Sequence, residues 1–140
     1  MNSWIESERH LFTDTSCGIP AVHTIVPVAS RGGNDWESAL RTVSGRCTIT
    51  PHAIQQCLAR HPKGSQWGDD YLSAAQWMRR ALCRGHLQRT FNHEDNLLPT
   101  FEVIDLKSDV VFRCQMTEKS AVIVTCFCRG VWYGAGSEVA

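Results

Sequence analysis

Near His86 the apolar period of this chain changes from helical to two, and that switch limits the fold class more than any motif does. Upstream, Ile54, Cys57 and Leu58 recur at i, i+3 and i+4, and Tyr71, Ala74, Ala75, Met78, Ala81 and Leu82 mark one side of a second helix. Thr50 is a good N-cap and Pro51 suits the first helical position, so the first helix is expected to run from there to Arg60. Pro62, Gly64 and Ser65 interrupt the pattern; the second helix should begin near Asp69 or Asp70, with Gly85 as a left-handed closing residue. Downstream, residues 87–91, 100–104, 110–116 and 121–127 are rich in β-branched and aromatic residues and read as strands. Alternation puts Val110, Phe112, Cys114 and Met116 on one face of the third strand, with Arg113 and Gln115 on the other. In the last strand it groups Thr125 with Ile123 and Phe127. The expected fold is α+β, with two or three helices packed on a mostly antiparallel four-stranded sheet in meander order.

The 140 residues and their 43% hydrophobic content suffice for one domain with a real core. Residues 1–45 mix Pro, Gly and Ser with short apolar runs and are expected to form an irregular arm. That arm would hold a possible hairpin and a short helix from Asp35 to Arg41, ended by Gly45. Residues 46–130 then form the core domain, and 131–140 a flexible tail.

Fourteen basic residues balance fourteen acidic ones, so no global field draws in nucleic acid or an anionic membrane; any basic site must be local. Neither a secretory signal nor an apolar run of membrane-spanning length is visible, which suggests a soluble, cytoplasmic protein without membrane partners. Seven scattered cysteines, mostly at apolar positions, suggest reduced core thiols. The spaced pair Cys126 and Cys128, with a histidine, is the alternative as a zinc site. On a strand, however, such a pair simply shares a face, and no Cys-x-x-Cys supports it, so neither metal nor cofactor is expected.

Four features together carry a resemblance: a helix opening Thr50-Pro51-His52-Ala53, Arg60 eight residues after His52, a second helix closing in Arg84-Gly85, and strands ending in Val124-Thr125-Cys126-Phe127. From about Thr48 to Phe127 the chain resembles a family of small bacterial and phage domains grouped with ribonuclease toxins of the barnase-EndoU-colicin-RelE-like fold. The resemblance implies a site lined by His52, Arg60 and Thr125. It also implies RNA as substrate and an antitoxin or host protein as a possible partner.

The residues themselves can be weighed beside this. Metal-free RNA cleavage needs a base for the 2′-hydroxyl, an acid for the leaving oxygen and cations around the phosphate. His52 in a first helical turn would sit near the positive end of the helix dipole, which favours a neutral imidazole and attracts phosphate. Its bland reading is a surface first-turn residue; that of Arg60 is a helix-end cation, and that of Thr125 a strand former. His86, just past the second helix, is a second acid–base candidate and equally a strand-edge residue. Arg79, Arg80, Arg84 and Arg89 form a basic run with no acid from Gln76 through Asn92, a candidate backbone-binding patch or a solvated helix face. Two functions stand against each other: a metal-independent endoribonuclease, and a catalytically silent module binding nucleic acid or a host protein. Convergence of His52, Arg60 and Thr125 on one cleft would favour the first.

Overall fold

The computed structural model describes residues 19–28, 35–60, 70–91 and 100–129. Among them, three helices cover one face of a six-stranded mixed sheet. The strands are β1 (Val22–Ile25), β2 (Arg46–Ile49), β3 (His86–Phe91), β4 (Thr100–Asp105), β5 (Val110–Met116) and β6 (Ala121–Cys128); the helices are α1 (Asp35–Thr42), α2 (Pro51–Arg60) and α3 (Tyr71–Cys83). The sheet order is β1-β2-β6-β5-β4-β3. The four C-terminal strands form the expected antiparallel meander, but the sheet does not stop there. β6 returns beside β2 and pairs with it in parallel, and β2 pairs antiparallel with β1, so four strands become six. Four-residue strands such as β1 and β2 carry too little alternation to be counted from sequence.

The helices form where capping and apolar spacing predict them. The Thr50 hydroxyl accepts from Ala53 N at 3.2 Å as the α2 N-cap, and Asp70 caps α3 by accepting from Ser73 N at 3.2 Å. The hydrogen bond from Ser73, chiefly that of its side chain, also holds the Asp70 carboxyl below its ordinary value. α1 ends in a Schellman turn: Gly45 N donates to Leu40 O at 2.8 Å and Ser44 N to Arg41 O at 3.2 Å. Ser44 and Gly45 accordingly have φ of 55° and 72°. Gly85 is otherwise than expected, because its φ is not positive. A Cβ there would stand 2.5 Å from Val103 Cγ1, so this glycine lets the α3 terminus approach β4 closely.

Trp36 and Leu40 of α1 are buried in the same core as Ala53, Ile54 and Cys57 of α2, Met78 and Leu82 of α3, and Phe101, Phe112 and Ile123 of the sheet. Trp36 Nε1 also donates to Leu82 O at 3.2 Å, fastening α1 to α3. The described parts of the expected N-terminal arm thus supply an edge strand and a core helix. The expected tail, residues 131–140, lies outside the described residues. No described helix is long and apolar enough to cross a membrane.

Candidate nucleic-acid interface

A β-bulge decides which face of the sheet the end of β6 presents. Arg113 pairs with Thr125 and Cys114 with Ile123, which leaves Val124 as the extra residue. The slip breaks the simple alternation: Ile123, Cys126 and Cys128 all face the helices, and Thr125 and Phe127 turn to the opposite face. The expected grouping of Thr125 with Ile123 fails for that reason. The bulge is held from α2, because the Thr50 hydroxyl lies 2.9 Å from Ile123 O and 3.1 Å from Val124 O.

This geometry separates the sequence-derived catalytic candidates. His52 is exposed in the first turn of α2, and Arg60 is exposed at the helix end, about 12 Å farther along the axis by helical rise. Thr125 is half-buried on the far side of the sheet. His86 is exposed at the start of β3, paired with Ile104 at the sheet edge. None of these four lines either of two clefts formed by described residues, one between β1, β2 and the turn before β6 and one between α1 and the end of α3. His61 and His93 lie outside the described residues.

The arginine run is also divided. Arg79 Nε donates to Ile25 O at 2.7 Å and ties α3 to β1. Arg84 makes a forked pair with Asp105, Nε to Oδ1 at 2.9 Å and Nη2 to Oδ2 at 2.8 Å. Asp105 is only 1% exposed and also accepts from the Ser108 hydroxyl and Lys107 N. Arg80 is exposed on α3. Arg89 reaches Glu102 at 3.2 Å. The local sequence around these arginines lacks acids, but β4 supplies two of them.

The sheet face opposite the described helices gathers a different constellation. Glu102, 1% exposed, sits in a cross-strand row between Arg89 of β3 and Arg113 of β5. Arg113 donates through Nε to Glu102 Oε2 at 3.1 Å, and Gln88, the extra residue of the β3 irregularity, donates to Oε1 at 3.3 Å. The Arg113 guanidinium also lies 5.4 Å from the centroid of the half-buried Phe127 ring, a cation–π contact. Arg129 follows at the end of β6, bonded to Asp109 and to the Gln88 amide oxygen. The side chains of Arg89, Arg113 and Arg129 remain 63%, 45% and 48% exposed while making these bonds. A buried carboxylate therefore orients two guanidinium groups, one of them beside an aromatic ring, without burying their charge.

At the other end of this face, β1, β2 and the turn before β6 enclose a cleft of about 410 Å³. His23 Nδ1 lies 3.2 Å from Thr48 Oγ1, which lies 3.2 Å from Ser120 Oγ. Arg46 and Lys119 line the same cleft. Neither it nor Arg113 and Arg129 were singled out from sequence, because His23, Arg46 and Lys119 are far apart in the chain and share no local spacing. Arg113 had one legible signal, its place on the polar side of an alternating strand.

Among the described residues, five of the six thiols are buried, which makes them poor nucleophiles. Cys47, Cys57, Cys114, Cys126 and Cys128 are buried free thiols, and Cys83 is an exposed one. Burial, helped by nearby Cys83 and opposed by Arg79, pushes Cys47 up to about 12, while the hydrogen bond its neutral thiol makes with Cys57, followed by burial, raises Cys126. Cys126 and Cys128 face the core together. Among the described residues, no three His, Cys, Asp or Glu side chains gather as metal ligands. No protein-family model, curated protein or solved structure matches the chain.

Proposed function

We propose that this protein is a binding module for single-stranded RNA, and that the sheet face opposite the described helices, around Phe127, is its contact surface. The observation that carries this reading is the Arg89–Glu102–Arg113 row beside the Phe127 ring, with Arg129 adjoining. Exposed guanidinium groups neutralise phosphates, and a half-buried ring held beside a guanidinium on a sheet suits an unpaired base; that combination fits unpaired strands rather than duplexes. Three guanidinium groups share two carboxylates, Glu102 and Asp109, so this patch keeps a local excess of positive charge on an overall neutral chain. Cleavage by His52, Arg60 and Thr125 would need them in one cleft, and their separation favours the non-catalytic alternative.

Salt-dependent anisotropy of a labelled single-stranded RNA tests this reading, with DNA of the same sequence and an RNA duplex as comparisons. The RNA affinity should fall steeply with salt, and replacing Arg89 and Arg129 with Gln should flatten the logarithmic slope by roughly 1.4, about 0.7 for each phosphate no longer neutralised. Phe127→Leu should weaken binding with little change of slope, while His52→Ala should leave binding unchanged. Affinity that ignores salt, or a duplex preferred to the single strand, would reject the assignment.

A further inference from the structure

We infer that the cleft between β1, β2 and the turn before β6 is a second site, one that binds a phosphomonoester, as a mononucleotide or as the phosphorylated end of an RNA strand. This inference stands on different residues from the RNA-binding surface and does not require it. Three observations converge. The cleft volume, about 410 Å³, lies in the range of small-molecule sites. Two of its polar groups, Thr48 at 3% exposure and Ser120 at 9%, are buried hydroxyls joined in a hydrogen-bonded row to His23. Its rim carries Arg46 and Lys119, exposed cations that form no salt bridge among the described residues.

A row of hydroxyls could satisfy itself as part of a packed edge. The two cations at the same space add something packing does not require, positive charge held in no ion pair among the described residues beside oriented donors. The row also has a direction set by His23. With a proton on Nδ1, the imidazole donates to Thr48, Thr48 donates to Ser120, and the Ser120 hydroxyl proton is left to donate into the cleft. An anion in the cleft thus gains a hydroxyl donor together with the guanidinium and ammonium groups. A phosphomonoester, with a charge of about −1.5 to −2, matches the two cations better than a backbone diester of about −1. Apolar wall is supplied by Ile25, against which a base or sugar can lie.

Position supports a link with the larger face. Ser120 precedes β6 and Phe127 lies near its end, roughly 20 Å away along the strand by β rise, a span of a few nucleotides.

Calorimetric titration of the full chain with AMP, adenosine and inorganic phosphate tests the site, with anisotropy of one RNA octamer carrying either a 5′-phosphate or a 5′-hydroxyl. AMP should bind and adenosine should not. Arg46→Gln and Lys119→Gln, both at exposed positions, should each weaken AMP binding about tenfold or more, the scale of one charge-assisted hydrogen bond. Inorganic phosphate binding as well as AMP supports the site and marks free phosphate as its source; a preference for the phosphorylated octamer supports it and marks the RNA end. If AMP binds but neither octamer does, this inference holds and the RNA-binding reading fails. If both octamers bind equally and AMP does not bind, the RNA surface holds and this inference is overturned. Equal binding of AMP and adenosine, or insensitivity to both substitutions, overturns it as well.

Discussion

Thr50 is the joint between a helix and a bulge, and Thr50→Val should show how much that joint contributes. Valine keeps the shape and removes only the hydroxyl, so the loss can be counted bond by bond. Ala53 N, in a residue with no exposed surface, loses its acceptor, and a buried orphan of this kind costs about 1–3 kcal/mol. Ile123 O keeps the backbone N–H of Thr50 at 3.2 Å and loses little. Val124 O loses the hydroxyl at 3.1 Å but is only half-buried and regains water in part. The sum is roughly 2–3 kcal/mol, above the ~1 kcal/mol of an ordinary N-cap deletion because the hydroxyl serves helix and bulge together. Thr50→Ser keeps the hydroxyl and should lose under about 1 kcal/mol, a methyl contribution. Urea unfolding followed by circular dichroism measures both. A Val variant no less stable than the Ser variant would refute the reasoning. So would a bulge that keeps its full protection from amide exchange in the Val variant.

Glu102 and its arginines should respond asymmetrically. Removing Arg89 and Arg113 together strands a carboxylate that is 1% exposed and should cost about 3–5 kcal/mol, whereas Glu102→Gln leaves guanidinium groups already in water and should cost under about 2 kcal/mol; the reverse order in urea unfolding would disprove the arrangement. Cys47 should couple stability to alkaline pH. Its folded pKa is raised from 9.0 to about 12, so the advantage of keeping the thiol neutral is fully present below about 9 and lost as pH rises toward 12. Against a Cys47→Ala variant, the thiol in the parent chain is a group that the unfolded state deprotonates first. Between about pH 8 and pH 10.5 the variant should therefore lose less stability than the parent chain, and equal losses in the two proteins would count against that burial.

Local chemistry was enough to determine several elements of this protein. Thr50, Pro51 and the Ile54, Cys57, Leu58 stripe specify α2; Asp70 and the long apolar face of 71–82 specify α3; and the alternation after His86 specifies four strands of a meander. These signals act over one or two turns or a single strand, where spacing and capping are written in neighbouring residues. Tertiary structure alone decided the rest. The parallel pairing of β2 with β6 joins residues more than seventy positions apart, and the bulge at Val124 turns Thr125 away from the helices by adding one residue that alternation cannot foresee. Charge followed the same rule: the acids that engage Arg84 and Arg89 come from β4, and the cations that share a cleft with His23 come from β2 and the turn before β6. A side chain's partners across a sheet are set by strand order and register, which no local window contains.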